Sequence, residues 1–408
     1  MNILFLSQWF QPEPSFKGLP FAKALREKGH HVEILTGFPN YPGGKVYPNY
    51  RVRLYQREML DGIQVNRVPL YPSHDKSALR RIINYLSFAV SAFFLGPWLI
   101  RRPDIIYVCN LVTLSPVAFL LRFFFGSKII IDVLDLWPES VISSNMLNNK
   151  AALYVLNNIC KFVYRKADKL VVPSPGIKYA LIGRGVAPEK IEVIYNWCDE
   201  GSIDVDASPV GAVKKPEFAG KFVVLFAGAM GLAQGLDTLL DCAGLCREAL
   251  PAVQFVLIGG GVDRSRLQQR AREMGLENVA FLPPRPIETM GKIFALANAL
   301  IVHLKDDPLF RITIPSKTQA YLYTGKPIIM AMLGDAADLV RKAGAGVLCA
   351  PDNPQEMMTA IKALYEMPEI ERLKMGEAGH RYYMNHLSFN QGVNQFERIM
   401  LSLSRKTA

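Results

Sequence analysis

Short apolar runs alternate with amphipathic stretches along the whole chain. In the first half the runs are NILFLS, HVEILT, DIIYVC, KIIIDV, KLVVPS and KIEVIY. In the second half they are KFVVLFAG, VQFVLIGG, NVAFLP, ALIVHL, KPIIMA and AGVLCA. Runs of this length, flanked by Gly, Pro, Asn and charge, read as strands buried on both faces, and the amphipathic stretches between them read as covering helices. The pattern predicts an α/β fold of two doubly wound, Rossmann-like parallel-sheet domains in tandem. Such domains bind ligands at the carboxyl ends of their strands, so a cleft faced by both is expected. The expected division is a first domain over 1–200, a linker over 201–219 rich in Gly, Pro, Ser and charge, and a second domain over 220–385. The apolar spacing of 386–408 predicts a final helix packing back on the first domain.

Residues 80–102, RRIINYLSFAVSAFFLGPWLIRR, carry no formal charge between two arginine pairs, and Gly96-Pro97 interrupts them. The stretch is short for a spanning helix. It reads either as a buried helix of the first domain or as an interfacial helix whose arginines meet anionic headgroups, with Phe93 and Phe94 on the apolar side.

Composition narrows the setting. The chain has 408 residues and a net charge of +11, and residues 1–200 hold 24 Lys and Arg against 15 Asp and Glu. A basic first half points to an anionic partner. Nucleic acid is not the expected one, because no basic run is interleaved with aromatics in a recognisable module. The six cysteines form no C-x-x-C pair, so neither a disulfide framework nor a zinc site is expected. The N-terminus reads as a first strand rather than a signal peptide, and a cytoplasmic protein is expected. His30-His31 reads as a surface or cap feature.

Candidate chemistry gathers at strand ends. Gly18, before the first helix, lets backbone N–H groups approach a phosphate, or simply opens a loop. At the head of the second domain, FAGAMGLAQGLDTLL places Gly228, Gly231 and Gln234 at a strand end. Gly259 and Gly260 end the next strand, and Pro284-Arg285 a third. Lys305, Arg311 and Lys317 bring positive charge to a helix start at Pro315, Ser316, Lys317, Thr318 and Gln319, where a diphosphate would sit. As ordinary surface cations they would mean nothing. In IIIDVLDLWPES, Asp132, Asp135 and Glu139 follow a strand, where carboxylates can orient an acceptor hydroxyl or cap a helix.

In their order, these segments resemble the family 4 glycosyltransferases of GT-B architecture, and most closely the WbuB-like branch of bacterial surface polysaccharide (O-antigen and capsule) synthesis. The resemblance rests on LSQWFQPEPS, GHHVEILTGFPNYPGGKVYPNY, DGIQVNRVPLY, INYLSFAVSA, DLWPES, VIYNWCD, GAMGLAQGLDTLL and IPSKTQAYLYTGKPI. It implies a retaining transferase with a UDP-sugar as donor substrate, no bound metal and no other cofactor. The expected sugar is an N-acetylated amino sugar, and the expected acceptor is a glycan on polyprenyl diphosphate at the inner face of the cytoplasmic membrane. Two departures stand out. Leu134 occupies the place of a histidine common in the family, and the two glutamates of its E-x7-E pair fall at Ile312 and Ala320. Amide and hydroxyl groups of the Ser316–Gln319 turn are the expected replacements. A UDP-sugar 2-epimerase of the same architecture and a catalytically silent partner of a glycan-assembly complex are the alternatives.

Overall fold

The computed structural model describes residues 1–73, 77–110, 112–143, 149–205 and 218–404. The chain forms two compact units. One comprises Met1–Pro173, Ile177–Ile194 and Val393–Ala408, and the other Ser174–Gly176 and Tyr195–Gly392. Most of the expected linker lies outside the described residues.

The first unit holds strands β1 (Asn2–Leu6), β2 (His31–Gly37), β3 (Gln56–Leu60), β4 (Ile63–Val68), β5 (Ile105–Cys109), β6 (Lys128–Asp132), β7 (Lys169–Val172) and β8 (Ile191–Val193). They form one sheet in the order β3-β4-β2-β1-β5-β6-β7-β8. All neighbours run parallel except β3 with β4. The six apolar runs read from the sequence are all strands. The hairpin β3–β4 is an addition, marked by Asp61-Gly62 at the turn, where both residues take positive φ (47° and 78°). That dipeptide is a strong hairpin signal, but β3 alternates exposed and half-buried residues and lacks a continuous apolar run.

Its helices are α1 (Leu19–Glu27), α2 (Ala78–Leu99), α3 (Ser115–Phe125), α4 (Glu139–Ser143), α5 (Lys150–Lys166) and α6 (Pro175–Gly183). Helix α2 is apolar on more than one side. Phe88 and Ala92 are fully buried, while Leu79, Ile83, Leu86, Val90, Phe94 and Trp98 are exposed at helical spacing. It has a core face, as the first reading expects, and an exposed apolar stripe on the other side. By length and composition it is apolar enough to cross a membrane, and a third of its apolar stretch is buried within the fold.

The second unit holds β9 (Phe222–Ala227), β10 (Val253–Ile258), β11 (Val279–Leu282), β12 (Ala299–His303), β13 (Ile328–Ala331) and β14 (Gly346–Cys349), ordered β11-β10-β9-β12-β13-β14 and wholly parallel. In local numbering this is 3-2-1-4-5-6, the doubly wound order whose switch point lies between β9 and β12. Every residue of β9, β10, β12 and β13 is buried, as expected for strands covered by helices on both faces.

Its helices are α7 (Asp237–Ala249), α8 (Arg264–Glu273), α9 (Met290–Ala295), α10 (Pro308–Arg311), α11 (Ser316–Tyr323), α12 (Asp335–Ala343), α13 (Pro354–Glu366) and α14 (Glu369–His386). The last helix, α15 (Phe389–Ser404), returns to the first unit from Val393 onward. There Phe396 packs against Phe21 and Tyr107, with ring centroids 5.1 and 5.8 Å away, and Glu397 pairs with Lys28 and His30 at 2.9 and 3.0 Å.

Candidate functional site

In the first unit, a cavity of about 450 Å³ opens at the carboxyl ends of β1, β5 and β6. Its polar lining includes Ser7, Lys17, Asn110, Asp135 and Ser140, and its apolar walls include Trp9, Tyr85 and Trp137. Asn110, held at φ 61°, and Asp135 clasp each other. The Asn110 amide donates to Asp135 Oδ2 at 2.8 Å, and the Asp135 N–H donates to Asn110 Oδ1 at 2.9 Å. Asp135 is thereby fixed at the rim with carboxylate capacity to spare. Leu134 lines the same cavity.

The other two carboxylates of that segment are engaged elsewhere. Asp132 is buried, accepting from Lys17 Nζ and Tyr107 Oη, both at 2.6 Å. Glu139, expected to share acceptor chemistry with Asp135, instead pairs with Arg184, whose guanidinium also donates to the Trp137 carbonyl. Held in this way, Glu139 braces the turn.

Gly18 is also reassigned. A Cβ there would stand 2.2 Å from Ser15 Oγ and 2.4 Å from Gln11 Oε1, and Gln11 Oε1 already accepts from Leu19 N at 2.8 Å. The chain's own amide fills the helix start that a phosphate would have used. The loop carrying Gln11 is further held by Glu13, which accepts from the N–H groups of Asn40 and Tyr41 at 2.6 and 2.7 Å. Burial nonetheless pushes the Glu13 carboxyl above its usual range.

In the second unit, the expected glycine turns come together at the carboxyl ends of β9 and β10. A Cβ on Gly259, at φ 144°, would lie 1.9 Å from the Gly228 carbonyl oxygen, so only bare backbone permits this approach. Pro284 closes against Gly260, where a Cβ would be 3.1 Å from its ring. Arg285 beside it is exposed. At the switch point, Gln234 Oε1 accepts from Gly231 N at 3.0 Å, and the Gln234 carbonyl accepts from His303 Nδ1 at 2.6 Å. With Asp352 N–H donating to His303 Nε2 at 3.1 Å, the ring is neutral and acts as a strut between three loops. Burial holds its pKa below the usual imidazole value. Sequence reasoning missed His303, whose only signal is a lone histidine ending a strand.

Lys317 is the centre of this unit's site. From the first turn of α11 its Nζ lies 3.7 Å from the Phe226 ring centroid and 3.2 Å from where a Cβ on Gly228 would be. That ammonium is buried and has no hydrogen-bond partner among the described residues. Desolvation brings its pKa down to about 7. Tyr321, one turn on, ties α11 to the same strand end, its hydroxyl accepting from Ala227 N at 2.8 Å.

The neighbours of Lys317 sort differently from expectation. Pro315 caps α11 and Ser316 is exposed beside it. Thr318 and Gln319 are fully buried, and the Gln319 amide donates to the carbonyls of Pro315 and Ser316 at 2.7 and 3.1 Å. The Gln319 amide is thus spent within its own turn, whereas Thr318 Oγ1 has no hydrogen-bond partner among the described residues. Ile312 packs its Cγ2 over Gly176, where a Cβ would be 2.5 Å away, and its carbonyl accepts from Ser174 Oγ at 2.5 Å. The position expected for one family glutamate is thus a packing contact. Arg311 makes a two-pronged pair with Asp306, both hydrogen bonds at 2.8 Å, which neutralises it as an open cation. Lys305 stays exposed on the loop after β12, its N–H donating to the Ala233 carbonyl at 3.0 Å. Among the described residues, no three His, Cys, Asp or Glu side chains gather as a metal site.

Comparison with known proteins follows the same division. A glycosyl transferase 4-like domain matches residues 19–197, and a glycosyl transferases group 1 domain matches residues 212–382. The putative colanic acid biosynthesis glycosyl transferase WcaI of Escherichia coli is 26% identical over 363 residues, covering 85% of this chain and 86% of that protein. The probable glycosyltransferase WbjE of Pseudomonas aeruginosa is 25% identical, over 65% of this chain and 67% of its own. Among solved structures, Anabaena Alr3699/HepE in complex with UDP-glucose superimposes with a TM-score of 0.71 at 19% identity, covering 98% of this chain and 100% of that one. The trehalose 6-phosphate synthase of Burkholderia multivorans gives 0.73 at 14% identity over 100% of both chains.

Proposed function

The chain belongs to the family 4 glycosyltransferases of GT-B fold, and on that premise we propose that it transfers an N-acetylated amino sugar from a UDP-sugar to a polyprenyl-diphosphate-linked glycan, with retention, in bacterial surface polysaccharide synthesis. The observation that carries the donor half is Lys317. A buried ammonium with no protein partner, at a helix start and under a bare glycine turn, is a costly arrangement unless an anion completes it. The donor diphosphate is that anion, joined by exposed Lys305 and Ser316 beside the start of α11. These groups supply the charge stabilisation of the leaving diphosphate, and the proposal invokes no metal. UDP as the nucleotide is supported by the Alr3699/HepE complexes, and the polysaccharide setting by WcaI.

The acceptor half rests on the cavity of the first unit. Asp135, clasped by Asn110, orients the acceptor hydroxyl at its rim. In the transfer, the acceptor oxygen bonds to the anomeric carbon as the bond to the diphosphate oxygen breaks. The hydroxyl proton passes to the leaving diphosphate on the same face, which yields retention. Basic charge in residues 1–200 and the uncovered stripe of α2 support a peripheral position at the inner face of the cytoplasmic membrane.

The test is incubation of the full chain with a panel of UDP-sugars and a polyprenyl-diphosphate glycan. UDP release only with acceptor, and an axial product linkage from an axial donor, are expected. Isomerised UDP-sugar without acceptor would instead mark an epimerase, and UDP binding without turnover a silent partner. Asp135→Asn should lower kcat by about a hundredfold while leaving donor Kd unchanged. A fall in melting temperature alone would make Asp135 structural.

A further inference from the structure

A second cavity, of about 560 Å³, lies in the first unit between α2, α3 and α5. Ile82 and Leu86 come from α2, Phe119 from α3, and Leu156, Ile159 and Phe162 from α5. It is larger than the polar cavity at the strand ends and almost wholly apolar, yet the two share Tyr85, Trp137 and Val141. A polar chamber and an apolar one with a common wall suit a single amphiphile better than two ligands. An open apolar groove of this size leaves its lining short of dispersion contacts until an apolar group fills it.

Thr113 lines it with an Oγ1 that has no hydrogen-bond partner among the described residues, and Arg81 Nε, on the neighbouring turn of α2, has none either. Arg81 precedes Ile82 on α2 and stands one helical turn before Tyr85, which lies on the wall between the chambers. A guanidinium at that place complements a phosphate joining a polar head to an apolar tail. The outer edge of the groove runs into exposed apolar residues, with Leu86 half of its surface bare and Ile159 nearly so, at 49% and 46%.

Resting on the lipid-linked acceptor of the proposed function, we propose that this groove receives the isoprenoid chain next to the acceptor's diphosphate, with Arg81 meeting the phosphates and the glycan lying in the polar cavity. The enzyme then reads its acceptor at both ends, and holds the lipid by a seat rather than by the membrane surface alone.

The test uses the full chain and a polyprenyl diphosphate bearing a photoreactive group in its first isoprene units. Cross-links mapped to the groove, at Ile82, Phe119 or Leu156, and competed by unlabelled polyprenyl diphosphate, are expected. Labelling confined to the outer stripe of α2, or equal competition by a saturated acyl phosphate, overturns the proposal. In parallel, Leu86→Glu combined with Ile159→Glu places charge on both lips of the groove. It should raise KM for the polyprenyl acceptor by about tenfold or more and leave KM unchanged for the same glycan diphosphate on a methyl group. Equal losses with both acceptors, or none with either, also overturn it. Specific groove labelling without sugar transfer would defeat the transferase reading while leaving the lipid seat intact.

Discussion

Each unit buries a lysine ammonium near the carboxyl ends of its strands, and the two could hardly be treated more differently. In the first, Lys17 reaches Asp132 at 2.6 Å, with side chains 0% and 1% exposed, and Tyr107 completes the acid. It also lies 4.7 Å from the Phe396 ring centroid, so it joins the first strand's loop to β6 and to the last helix. In the second, the ammonium of half-buried Lys317 is sunk against Phe226 with no acid paired to it among the described residues. A paired internal cation is a fastener, because its charge is answered within the fold. An unanswered one is a socket, because its charge is answered only when something arrives.

The comparison breaks most readily at the fastener. Lys17→Met leaves Asp132 buried and uncompensated, and should cost about 3–5 kcal/mol of stability, seen as a lowered urea midpoint. If the midpoint hardly moves, the pair is not structural. Lys317→Met should do the reverse, leaving stability unchanged or higher while weakening UDP-sugar binding by about 1.5–3 kcal/mol, measured by calorimetry. Lost stability with unchanged affinity would make Lys317 a second fastener.

The same contrast has a pH signature. With a folded pKa of about 7, Lys317 binds fewer protons than its unfolded counterpart between about pH 7 and pH 10. Folding stability from this group therefore rises with pH across that window, and its burial costs most below pH 7. Donor affinity runs the other way. It is fullest below pH 7, where the ammonium is already charged, and falls by up to about tenfold per pH unit above it. Lys317→Arg should flatten that slope, whereas a slope unchanged in Lys317→Met would assign it to another group. The smallest effect concerns the mount of the socket. Tyr321→Phe removes the hydroxyl that holds Ala227, and should cost about 1 kcal/mol of stability with a smaller change in donor Kd.

Much of this was legible in the order of residues. Period and run length located twelve strands, because each is a short apolar run with few polar interruptions between turn residues. The hairpin β3–β4 escaped that criterion, being half exposed, although Asp61-Gly62 marked it. Glycine turns and Lys317 were legible for a similar reason, since bare backbone at a strand end has few other uses. Side-chain direction was not. Lys317 and Gln319 stand two residues apart on one helix, and which of them faces the strand end depends on how α11 is rolled against β9. Nor was partnership across the chain visible. Glu139 is claimed by Arg184, 45 positions away, and Asp132 by Lys17, 115 positions away. Arg311, in contrast, is claimed by Asp306 only five positions earlier, a local pair that the sequence displayed openly.

The contact between Gly228 and Gly259 has a consequence for how this enzyme can change. A floor made of main chain offers mutation nothing to exchange: any side chain at Gly259 meets the carbonyl of Gly228 at 1.9 Å. Any change of ligand preference must therefore come from side chains standing around that floor, because the floor itself is fixed by its own backbone.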